Sequence, residues 1–167
     1  MSGPFTLALQ DFAKKAGARA NEAVGNIVIA SAAKIDARSP VGNPSLWKDW
    51  KVGEANHDHW LVSAGFVEAG YVGGHFRANW QLGIGTLPSG VVAGVDETGE
   101  RTQGKIVAEV PEQAAGAVYF IANNVPYAQR LEHGYSKQAP QGMVGLVMVE
   151  MQSIVSEACA KAKAAHP

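Results

Sequence analysis

An α+β fold follows from the sequence: an antiparallel sheet of about four short strands, with two long helices packed on one of its faces. Two observations carry this. Apolar residues recur at helical spacing from Thr6 to about Asp36 and again from about Gly142 to the C-terminal end. Between these segments lie four short stretches rich in strand formers. With 167 residues, 47% of them hydrophobic, the chain can bury one sizeable core but is short for two, so 1–167 reads as one domain.

In the first helix the stripe is Leu9, Phe12, Ala16, Ala20, Val24, Ile27, Val28, Ser31 and Ile35. Thr6 is the expected N-cap, and Ser39-Pro40 ends the helix because a residue before proline is pushed out of the helical region. From Val41 to Gly74 periodicity is lost, and a long loop is expected although Trp47, Trp50, Trp60, Leu61 and Phe66 lie in it. Trp80, Leu82 and Ile84 then alternate with Gln81, Gly83 and Gly85, the pattern of a strand. Val91 to Val95, Ile106 to Val110 and Ala117 to Ala122 are the other expected strands, with a solvated turn at Asp96 to Glu100. Pro126 opens a short helical stretch through Leu131, and Gly134 suits the left-handed residue that closes it. Met143, Val147, Met151, Ile154, Val155 and Ala158 form the stripe of the last helix, where Cys159 reads as a small buried apolar group.

Fourteen basic residues against fifteen acidic ones leave a formal charge of −1, so no overall field gathers phosphate backbones or anionic membranes. Specific nucleic-acid binding and membrane association are not expected. The single cysteine forms no internal disulfide, which fits a reducing compartment and assembly in a cytoplasm.

Chemistry-bearing motifs are sparse. His57-Asp58-His59, with His75 nearby, offers metal-ligand chemistry, but nothing marks a third ligand or an orienting partner. There is no Gly-x-Ser-x-Gly turn and no Cys-His pair for nucleophilic catalysis. Gly70-Tyr71-Val72-Gly73-Gly74 lacks the Gly-Lys-Ser/Thr ending of a phosphate loop, and its glycines better serve backbone freedom. The expectation is therefore no catalytic residue, no metal and no cofactor. The loop tryptophans read instead as interface anchors, since aromatic side chains are enriched at the centre of protein contacts.

Three segments, in order, resemble a family of phage tail-component proteins, the tail-completion or neck proteins of long-tailed phages, including the lambdoid minor tail protein Z type. These are AAKIDARSPVG, then GYVGGHFRANWQLGIG with Gly74, Arg77, Asn79 and Trp80, then YFIANNVPYAQRLEHGYSKQAPQGMV. In the last, Asn123, Pro126, Tyr127, Ala128, Glu132, Gly134, Pro140 and Gly142 fall on the family's pattern. Many family members have only a few residues where this chain has 41–70, so nothing about that loop is carried over. The resemblance implies a virion protein forming a ring, commonly a hexamer, at the head-proximal end of the tail, through which DNA passes. It implies neighbours in the tail tube or tail terminator, the head-completion or connector protein and the tape-measure protein, and no enzyme activity. Trp47, Trp50, Trp60, Arg77, Tyr127, Glu132 and Tyr135 are the expected interface residues, with Arg77 and Glu132 a candidate intersubunit ion pair. The rival reading is a small metal- or ligand-binding enzyme built around His57 and His59, and a third is a decoration or adaptor protein elsewhere in the virion.

Overall fold

A computed structural model of the chain describes residues 3–42 and 73–167. Most of the expected 41–74 loop, with Trp47, Trp50, Trp60 and the His57-Asp58-His59 motif, lies outside the described residues.

Helix α1 spans Pro4–Arg38 and is 35 residues long, about 52 Å at 1.5 Å per residue. It starts earlier than Thr6: Gly3 is the N-cap, and Pro4 occupies the first turn, where its missing N–H is no loss. Its end is where the Ser39-Pro40 pair predicts. Ser39 is extended (φ −70°, ψ 132°), its N–H returns to Asp36 O, and its hydroxyl donates to Ile35 O at 2.9 Å.

The C-terminal helix, Val144–Ala165, lies antiparallel against α1. Lys34 Nζ and Arg38 Nη2 meet Glu150 at 3.0 and 2.6 Å near one end, and Arg19 Nε donates to His166 O at 2.6 Å at the other. Val147, Ile154 and Ala158 are buried as the stripe predicts. Val155 and Cys159 are exposed, contrary to expectation. Each follows a buried residue by one position, which turns it about 100° away from the covered side.

Among the described residues the sheet has two antiparallel strands, β1 (Trp80–Ile84) and β2 (Tyr119–Asn123). Trp80 pairs with Asn123, Leu82 with Ile121 and Ile84 with Tyr119. Trp80, Leu82 and Ile121 share one face, as partners in a ladder do, and all three join the core. Neither of the other two expected strands forms. Ile106 to Glu109 belongs to a helix, Glu100–Glu109, that buries Thr102 and Ile106 one turn apart. Its start is held by Asp96, which accepts from Gly99 N–H (3.0 Å), Thr102 N–H (2.7 Å) and the Thr102 hydroxyl (2.8 Å). This cap outweighs the strand propensity of Ile106 and Val107. It also buries Asp96, which was expected at a solvated turn.

Val91 to Val95 is irregular because side chains, not a neighbouring strand, take its backbone groups. Asn79 takes both the N–H and the carbonyl of Val92, Gln81 donates to Gly90 O, and His75 bonds Gly94 O. A short helix, His75–Ala78, precedes β1. Another, Ala128–Glu132, starts two residues after Pro126 and is followed by Gly134 at φ 79°. In order these helices are α2 (His75–Ala78), α3 (Glu100–Glu109), α4 (Ala128–Glu132) and α5 (Val144–Ala165). One core unites them, with Ile35 from α1, Phe76, Trp80, Ile106, Val125, Met143 and Ile154 at its centre.

Candidate functional site

The motif residues of the middle and last segments gather around the junction of α1, α2, β1 and the start of α5, where Arg77, Asn79, Asn123 and Glu132 hydrogen-bond to backbone groups. Arg77 on α2 donates from Nε to Ser39 O (3.1 Å) and from Nη2 to Ala37 O (3.4 Å). Its Nη1 reaches Glu97 O (2.9 Å) and Thr98 O (3.3 Å). One guanidinium thus ties the carbonyls that end α1 to the turn that begins α3, a use of its five donors that lysine cannot copy. Trp80 Nε1 donates to Ser39 Oγ at 2.8 Å, and Asn123 Nδ2 to Phe76 O at 2.8 Å. Gly74, at φ 91°, lies against the backbone of Asp96 and Glu97, where a Cβ would come within 2.5 Å of Glu97 N.

Two carboxylates act as helix caps. Glu132 accepts from the N–H groups of Met143 and Val144 on Oε2, both at 3.0 Å, and of Gly145 on Oε1 at 2.8 Å. It caps α5 from twelve residues upstream of Val144, satisfying donors that a helix start leaves free. Burial pushes Glu132 and Asp96 upward, but the N–H groups each accepts outweigh it and both carboxyls titrate below their ordinary values. Asp36 behaves oppositely. Burial raises it, the Arg77 charge only partly offsets this, and its Oδ1 has no hydrogen-bond partner among the described residues.

These shifts have opposite signs in stability. Lowered carboxyls contribute stability that is complete above the ordinary carboxylate range, roughly pH 4 to 5, and is lost as pH falls through their folded values. Asp36, being raised, loses stability for the fold as pH rises from its ordinary value through its folded one. Glu132→Gln should therefore flatten the acid limb of a melting-temperature profile and cost about 1–2 kcal/mol at neutral pH, as a lost cap does. An acid limb identical to that of the unmodified chain would show that the carboxylate does not hold α5.

The expected interface residues that are described divide into two kinds. Arg77 and Glu132 each direct most of their hydrogen-bonding groups to backbone, Arg77 to four carbonyls and Glu132 to three N–H groups. Tyr127 is half-buried with its ring 6.2 Å from that of Phe76, whereas Tyr135 is exposed with the Arg130 guanidinium 5.9 Å over its ring. Trp47, Trp50 and Trp60 lie outside the described residues. His75 is buried, with Nδ1 at 2.9 Å from Gly94 O and Nε2 at 3.4 Å from Asn79 Nδ2, so both ring nitrogens face groups of the fold. Among the described residues no group of three His, Cys, Asp or Glu side chains is placed to hold a metal ion, and no helix is long and apolar enough to cross a membrane.

Sequence reasoning placed Trp80 at the start of a core-facing strand, where it lies, and singled out Arg77, Asn79 and Glu132 without the backbone bonds they make; Asp96 it read as part of a solvated turn and so missed its capping role. Comparison with family models, with curated proteins and with solved structures gives no match to this chain.

Proposed function

We propose that this chain is a structural subunit of a tailed-phage virion, a tail-completion or neck protein that assembles as a ring, hexameric in the family it resembles, and joins tail to head. The observation that carries this reading is the ordered set of family-like segments ending in the Pro-Tyr-Ala, Glu-x-Gly and Ala-Pro-x-Gly sequence. Geometry supports it from a second side. The motif residues that are chemically able, Arg77, Asn79 and Glu132, bond backbone groups, which suits a rigid building block better than a reaction centre.

In this reading a neighbouring subunit pairs with the β2 edge and widens the two-stranded sheet of the described residues across subunits. In this reading the 41–74 segment brings Trp47, Trp50 and Trp60 to a neighbour. The tail tube or terminator, the head-completion protein and the tape-measure protein are the partners, and DNA passes through the ring.

In a phage whose genome encodes this chain, interrupting the gene is expected to leave filled heads and separate tails, visible by electron microscopy, and supplying the protein should join them. Normal virions from the interrupted genome would end the proposal.

A further inference from the structure

Among the described residues, the first half of α1 stands clear of the core. α5 ends at Ala165, where His166 meets Arg19 and Glu22, so α1 runs on past it, and residues 4–17 are all exposed. That is about 21 Å of helix. On it Phe5 is 80% exposed, Leu9 55% and Phe12 69%. At 100° per residue these three and Ala16 fall on one stripe, and the same stripe continues toward the core as Ala20 and Ala23. Large residues thus occupy its free end and alanines its inner end.

Beside those alanines lies a shallow groove of about 240 Å³, lined by Arg19, Ala20, Ala23, Cys159, Ala162 and Lys163. A cavity of about 150 Å³ already accepts a benzene ring, so a phenyl side chain fits here. Phe12 cannot reach it within the chain, because Phe12 and Ala20 are more than two turns apart on one continuous helix. A second copy can.

We propose that two copies of this chain dock by their α1 helices, antiparallel, with Phe12 and Leu9 of each copy seated against Ala20 and Ala23 in the groove of the other. In this register Phe12 faces Ala20, Leu9 faces Ala23 and Ala16 faces its own counterpart, so the two central large residues each meet a small one, while Phe5 lies over Ile27 at the end of the contact. Small residues at the crossing let the helices approach closely. With a phenylalanine ring burying about 150–250 Å², the exposed parts of Phe5, Leu9 and Phe12 plus the alanine flanks give roughly 500–600 Å² per copy. Two copies then bury roughly 1,000–1,200 Å², the low end for a specific contact, which makes the free association weak and reversible. Because Ala16 meets its own counterpart, the contact is two-fold: it pairs two subunits and closes on itself, so it goes beyond the proposed ring, whose successive subunits need a heterologous contact elsewhere.

Sedimentation over a concentration series tests it, with Phe12→Glu removing the projecting side chain and Cys159→Arg blocking the groove; both positions are exposed. Each variant alone is expected to weaken self-association about tenfold to a hundredfold. Mixing the two should restore part of it, since one intact Phe12 then meets one open groove. In the unmodified chain Cys159, the only cysteine, should lose reactivity toward a maleimide as association proceeds, a readout that needs no substitution. Association that persists in both variants, mixing that restores nothing, or Cys159 reactivity that does not change with concentration would each overturn the contact while leaving the ring reading in place. Pairs that form through Phe12 and the groove, in a protein absent from purified virions, would leave the contact standing and remove the ring reading.

Discussion

Trp80→Ala is expected to lower the folding free energy by about 3–5 kcal/mol, the range for truncating a large aromatic side chain in a core. Trp80 is 5% exposed at the start of β1, and its ring meets that of Phe76 edge-on at 5.6 Å between centroids. Its Nε1 also donates to Ser39 Oγ, so one side chain packs the sheet on the core and holds the end of α1. Trp80→Phe separates the two parts. It keeps most of the apolar area and loses the hydrogen bond, for an expected cost of about 1–2 kcal/mol. Urea unfolding measures both, and an unchanged midpoint for Trp80→Ala would mean that the ring does not carry core packing.

The two long helices were readable because their evidence is local and repeated: a stripe over many turns and a Ser39-Pro40 stop for α1. What the pattern did not show is where cover ends. Leu9, Phe12 and Ala16 have the spacing of core residues, yet they run past the end of α5, and no property of α1 alone reveals where another helix stops. The misread strand at Ile106 to Val110 has a similar origin. Strand formers are counted over neighbours, whereas the cap that makes the segment helical joins Asp96 to Thr102, six positions on, across a turn rich in exposed polar residues.

Site roles were hidden for the same reason. A helix-capping carboxylate is sought three residues inside its helix, but Glu132 caps α5 from a different element. Arg77 invited an ion-pair reading because its bonds go to carbonyls of residues 37, 39, 97 and 98, which sequence does not place beside it. Composition was a surer guide than position. Residue types rich in donors and acceptors, set among glycines, mark places where backbone leaves regular structure and needs side-chain partners.

Asn79 shows this most clearly and carries the other large expected effect. It is 0% exposed. Its Nδ2 donates to His75 O at 2.9 Å and Val92 O at 3.0 Å, and its Oδ1 accepts from Val92 N–H at 2.7 Å. One amide therefore does for Val92 what a paired strand would do, which is why 91–95 lies ordered against β1 without forming a ladder. Asn79→Ala leaves those backbone groups without a partner, each worth about 1–3 kcal/mol where water cannot reach. Part of Val92 is open to solvent, so the expected loss is about 2–4 kcal/mol in urea unfolding. Asn79→Asp should be no better at neutral pH. It keeps an acceptor for the Val92 N–H but turns carboxylate oxygens toward the carbonyls of His75 and Val92. Amide exchange at Val92 distinguishes a local lock from general destabilisation. The Val92 N–H should exchange faster in Asn79→Ala by a larger factor than amides in the centre of α5, and equal acceleration at both places would mean that Asn79 does not hold this segment in particular.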